Sequence, residues 1–219
     1  MAQHASSDYP AYSFPEKLAD GTVHIVGIIA GIVGTIALLW ITKTPLGIGA
    51  AWVYGLCATL ALGASAAYHM TPVETWRATL RRLDHALIFL KIAGTYTPLV
   101  VLINTPFAYA ILALVWGIAG YGVVRKLFFW RTPKASSVWL YLGMGWLSLA
   151  LAKPLIDTVP ITTVIWVAAG GLLYSLGVIF YKWESLRFSN AIWHAFVLVA
   201  SGCFFFGIYG AKAGVAAPL

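Results

Sequence analysis

Leu83-Asp84-His85-Ala86-Leu87-Ile88-Phe89-Leu90-Lys91-Ile92-Ala93-Gly94-Thr95-Tyr96-Thr97-Pro98 is the stretch on which the fold turns. It opens an apolar run long enough to cross a bilayer, yet it places an acid and a histidine at its mouth and a lysine two turns further in. At 3.6 residues per turn, Asp84 and Lys91 fall on nearly the same helix face. Ionisable groups at membrane depth are costly and usually face a bundle interior or a wet cavity, where they serve a function. Two readings of Asp84 stand: a functional acid inside a bundle, or an N-cap whose negative charge suits a helix start.

Working outward, the composition places the whole chain in the membrane class, with 61% hydrophobic and 10% charged residues in a chain of 219. Seven apolar runs are each near the roughly 20 residues a spanning helix needs. They are Thr22–Ile41, Leu46–His69, Asp84–Ile103, Phe107–Val124, Ser136–Ala152, Ile161–Tyr181 and Asn190–Tyr209. Thr44-Pro45, Asn104-Thr105-Pro106 and Val159-Pro160 punctuate them with turn chemistry. None alternates apolar and polar with the period of two that a barrel strand requires. The expected fold is an all-α integral membrane protein of seven transmembrane helices. Residues 1–21 form an N-terminal arm, 22–210 the helical domain and 211–219 a short tail. The arm lacks a basic segment followed by a short apolar one and a cleavage site, so no removable signal peptide is expected. Cys57 and Cys203 lie within apolar runs and read as small core residues.

The net charge of +7 is a topology signal. With seven spans, Lys17, Arg77, Arg81, Arg82, Arg125, Lys126, Arg131, Lys134, Lys182 and Arg187 share one side, whereas Lys43, Lys153 and Lys212 share the other. The positive-inside rule then puts the N-terminus in the cytoplasm and the C-terminus outside. Trp76, Trp130, Trp183 and Trp193 near the basic helix ends, and Trp40 near the other, fit an aromatic belt. A basic face for nucleic acid is not expected.

This orientation collects polar residues at one depth. His24 begins the first span, Ser65 and His69 end the second, Asp84 and His85 begin the third, and Asn190 and His194 begin the seventh. Ser65 and His69 share a helix face, as do Asn190 and His194, each pair being four residues apart. Singly, each has a bland reading: His24 or His85 snorkels or satisfies a neighbour, and Ser65 bonds back to its own helix. Together they suggest a metal site or a proton path, because neutral imidazole is a common metal ligand and a carboxylate can orient water.

The motifs Ser65-Ala66-Ala67-Tyr68-His69, Leu83-Asp84-His85 leading to Ile92-Ala93-Gly94-Thr95-Tyr96-Thr97-Pro98, and Ala191-Ile192-Trp193-His194-Ala195-Phe196-Val197-Leu198 resemble the hemolysin III branch of the progestin and adipoQ receptor family. The resemblance covers nearly the whole chain. It implies seven helices, a cytoplasmic N-terminus and a zinc site near the cytoplasmic face, in a cavity similar to that of membrane ceramidases. Carried over, it makes His69 and His194 zinc ligands, Asp84 the acid that positions water and Ser65 the helix-two serine of the site. The family's remaining zinc histidine falls at Asn190, an amide in place of imidazole. The helix-one pattern Glu-xx-Asn-xx-Thr-His is partly kept, with Lys17, Asp20, Val23 and His24 at those places.

Three functions follow as expectations. In the first, a ceramidase-like zinc hydrolase holds zinc on His69, His194 and Asp84, with Asn190 at the third position. Asp84 serves as general base, Ser65 hydrogen-bonds the site, and a membrane lipid or free fatty acid occupies the cavity. The second is a non-enzymatic sensor or regulator of membrane energetics or lipid state, or a cytolysin as the branch's name implies. The third is an ion path along Asp84, Lys91 and the histidines. The resemblance implies a bacterial cytoplasmic membrane location.

Overall fold

The computed structural model describes residues 12–129 and 134–216, with side chains from 134 to 137 and beyond 214 set aside. Trp130 and Arg131, the side chain of Lys134, most of the N-terminal arm and the end of the tail therefore lie outside the described residues. Among those described, the secondary structure is helical throughout, and seven helices are long and apolar enough to span a membrane.

Helix α1 covers Phe14–Ile41 and begins earlier than hydropathy suggests. Its start is set by polar chemistry: Glu16 Oε2 accepts hydrogen bonds from the Ser13 backbone N–H (2.9 Å) and hydroxyl (2.6 Å). Helix α2 covers Pro45–Met70 and α4 covers Pro106–Phe128. Each opens with a Thr-Pro pair, whose proline suits the first helical position while the threonine hydroxyl accepts an N–H three residues further on. Helix α3, Glu74–Ile103, extends before Asp84 by nearly three charged turns carrying Arg77, Arg81 and Arg82. It stops at Asn104, which takes the left-handed conformation at φ 50°.

The fifth span is interrupted. Helix α5, Lys134–Trp146, gives way to a 3₁₀ segment, Leu147–Leu151, before α6, Ala152–Thr158. Pro154 has no N–H for the carbonyl four residues back, which favours tighter winding just before it. Tyr96 from α3 donates its hydroxyl to the Met144 carbonyl at 2.6 Å and lies 3.0 Å from that of Gly145, so the break is tied to the bundle. Helices α7, Ile161–Lys182, and α8, Ser189–Ala216, complete the fold.

Large apolar side chains such as Ile25, Ile29, Val33 and Ile36 point outward from α1, as expected of a surface solvated by acyl chains. The interior is built around Phe89, Leu38, Val100, Val115 and Ile208. Close approach of α2 to α3 depends on Gly94, where a Cβ would stand 2.7 Å from the Cys57 Cβ and 3.3 Å from the Val53 carbonyl oxygen. Helix α2 packs between α1 and α3, and α8 packs against α1 and α7. This neighbour order brings the polar ends of α1, α2, α3 and α8 together.

Candidate metal centre

Three helices each contribute two polar groups one turn apart: Asp20 and His24 from α1, Ser65 and His69 from α2, and Asn190 and His194 from α8. The early start of α1 matters here, because it carries Asp20 inside the bundle, 3% exposed, with His24 below it at 1%. Asp20 is the residue that hydropathy passes over. The signal that finds it is its spacing of four from His24, the same spacing that singles out the other two pairs.

Asp20 is the hub. Its Oδ1 lies 2.6 Å from His194 Nδ1, and its Oδ2 accepts from Asn190 Nδ2 at 2.9 Å and stands 3.5 Å from His24 Nε2. A carboxylate only accepts, so His194 Nδ1 carries that ring's proton and Nε2 is left with its lone pair. Ser65 Oγ, 3.3 Å away, donates to it. The same argument orients Asn190: its NH₂ group must face Asp20, and that nitrogen also lies 3.3 Å from His69 Nδ1. His69 Nδ1 therefore accepts, placing the His69 ring proton on Nε2. A histidine at position 190 could not donate to both partners at once, which gives the amide a physical role.

The three imidazoles form one cluster. Ring centroids are 4.4 Å apart for His24 and His194, 4.9 Å for His69 and His194, and 6.0 Å for His24 and His69. Ligand atoms of Asp20, His24 and His194 lie within 4.8 Å of one another, so this buried group could hold a metal ion. His24 supplies the test of fit. Both its ring nitrogens are enclosed and have no hydrogen bond among the described residues. A buried imidazole left in that state costs stability, and one carboxylate with two imidazoles is a known catalytic metal set.

Asp84 and His85 lie on the flank. Asp84 is buried and interacts electrostatically with His69 and His194, and its Oδ2 stands 3.4 Å from His85 Nδ1. His85 Nδ1 also lies 2.9 Å from the Arg81 carbonyl, which it satisfies as a donor. Lys91 is buried at 8% exposure, with its ammonium 5.4 Å from the Tyr174 ring centroid and no hydrogen bond among the described residues. It lies about 10 Å further along α3 than Asp84 and does not join the cluster. A small opening lined by Tyr12, Glu16, Lys17, Asp20, Phe188 and Asn190 reaches the cluster from the helix ends. Burial, reinforced by the nearby Asp20 charge, pushes the Tyr12 hydroxyl up to about 12, so it stays protonated at neutral pH.

A protein-family profile described as "Haemolysin-III related" matches residues 12–205. "Hemolysin-3" of Bacillus cereus is 36% identical over 195 residues, covering 87% of this chain and 89% of that protein. "Hemolysin-3 homolog" of Bacillus subtilis is 32% identical over 202 residues, covering 89% and 93% respectively. The human "Monocyte to macrophage differentiation factor" is 28% identical over 206 residues, covering 89% and 83%.

Proposed function

Since this chain belongs to the haemolysin-III-related family, we propose that it is a zinc-dependent hydrolase of lipid amide or ester bonds. Its metal centre would lie at the cytoplasmic end of the bundle in a bacterial inner membrane. The observation that carries this reading is His24, an enclosed imidazole without a hydrogen bond, beside Asp20 and His194. His24 and His194 would hold the ion, with Asp20 as the carboxylate between them, so helix α1 makes good the histidine that α8 lacks at Asn190.

Bound zinc would supply a Lewis acid and bring the pKa of a water down to about 7. The chain's own residues do the rest. Asn190 holds Asp20 and His69 in place through its amide. Asp84, which interacts electrostatically with both His69 and His194 from the flank, serves as proton acceptor for water. Ser65, whose Oγ is 3.3 Å from His194 Nε2, lines the site. Burial of Asp20, His24 and His194 keeps bulk water from the site, which strengthens each charge interaction within.

A second reading has its own support. Asp20, Asn190, His69, His194 and Ser65 already form a connected hydrogen-bond network, as a purely structural or lipid-sensing polar core would. Metal analysis of protein purified without a histidine tag separates the two. The hydrolase reading expects near-stoichiometric zinc that is lost in His24→Ala and His194→Ala, together with release of fatty acid from lipid amides or esters. Zinc-free wild type that also gains none on incubation would leave the sensing core in its place.

A further inference from the structure

Most hydroxyls within these helices bond to their own helix; Thr163, which donates to the Gly207 carbonyl of α8 at 3.1 Å, and Ser65 reach across to another, and Ser65 alone of the two meets an imidazole. Thr35, Thr42, Thr95, Thr97, Ser175 and Ser201 each donate to the carbonyl four residues back, the ordinary resting place of an intrahelical hydroxyl. Buried Ser65 turns across to α8 instead, with Oγ 3.3 Å from His194 Nε2, and His194 Nδ1 is in turn 2.6 Å from Asp20 Oδ1. A hydroxyl, an imidazole and a carboxylate from three different helices thus stand in series. The tautomer leaves Nε2 free to take the hydroxyl proton.

We propose that Ser65, His194 and Asp20 form a nucleophilic relay that hydrolyses carboxylic esters of lipids through an acyl-Ser65 intermediate, a covalent chemistry that goes beyond the metal reading of the site. In the first step Ser65 Oγ attacks the ester carbonyl carbon while His194 Nε2 takes the hydroxyl proton. The tetrahedral adduct collapses, its carbon–oxygen bond to the alcohol breaks, and the departing alkoxide receives the proton from Nε2. Water then attacks the acyl-Ser65 ester. His194 takes a proton from that water and returns it to Ser65 Oγ as the carboxylic acid leaves. No electrons are gained or lost. Asp20 is a positioning residue, holding the His194 tautomer and balancing the imidazolium formed in each step. The opening beside Asp20 and Asn190 gives water a way in.

His194 Nε2 has a single lone pair, so the atom serves either a cation or the Ser65 proton. The test therefore starts from full-length protein in nanodiscs, stripped with EDTA and treated with a lipophilic alkyl fluorophosphonate, followed by peptide mapping. A covalent adduct on Ser65 is expected. It should be absent in Ser65→Ala and form about tenfold or more slowly in Asp20→Asn, with Asp20→Glu recovering part of the rate. Labelling of a protein that retains no zinc would support the relay and count against the metal reading. Zinc retention with Ser65 unmodified after stripping would overturn the relay and leave the metal reading standing. Equal labelling rates in wild type, His194→Gln and Asp20→Asn would also overturn it, because Ser65 would then react without its partners.

Discussion

Asn190 carries the most information at the scale of single residues. Its amide joins Asp20 to His69, so one side chain of α8 holds a group of α1 and a group of α2 together. Asn190→His exchanges one of those hydrogen bonds for a further imidazole. The metal-free variant should lose about 1–3 kcal/mol of stability, the usual cost of an unsatisfied buried acceptor. Zinc retention should rise in the same variant, and added zinc at 100 times its Kd should return about 2.7 kcal/mol. Thermal unfolding with and without zinc, paired with metal analysis, checks both signs; a variant stabilised without zinc and indifferent to it would refute the assignment. Residue type and spacing make Ser65, His69, Asn190 and His194 legible as candidates in the chain itself. Asp20 is marked in the chain only by its spacing from His24; its contacts with Asn190 and His194, 170 and 174 positions away on α8, are not.

Among the elements, α1 and the fifth span depart furthest from a plain hydropathy reading. The first turns of α1 are polar, so no apolar run marks them. They become helical because Ser13 and Glu16 satisfy each other and because Glu16 Oε1 also accepts the Phe188 backbone N–H at 3.0 Å. Phe188 is left-handed at φ 63°, just before α8, so this bond ties the entry of α8 to the start of α1. The 3₁₀ break at Leu147–Leu151 has a similar tertiary partner in Tyr96. Tyr96→Phe removes the donor serving Met144 and should cost about 1–3 kcal/mol without altering zinc content. Thermal unfolding and metal analysis of that variant provide the check, and an unchanged unfolding temperature would show the break to be self-supporting.

For the whole molecule, the charge asymmetry predicts an N-terminus in the cytoplasm and a C-terminus outside. Reporter fusions at the two ends should give opposite compartment signals, and matching signals would contradict an odd number of spans. The sequence alone determined the number and class of the spans. Burying some 20 apolar residues in a bilayer is a local property that each segment expresses by itself, and the Thr-Pro pairs mark where such segments begin. It also determined that polar groups gather at one end, since helix direction alternates along the chain. Which of them meet was decided only by tertiary structure. The contact of Asp20 with His194 depends on the axial register and rotation of α1 against α8, helices at opposite ends of the chain. A few degrees of rotation would offer other side chains to the same space. The carboxylate that sets the His194 tautomer, the amide that sets the His69 tautomer and the imidazole left without a hydrogen bond all follow from that one packing arrangement.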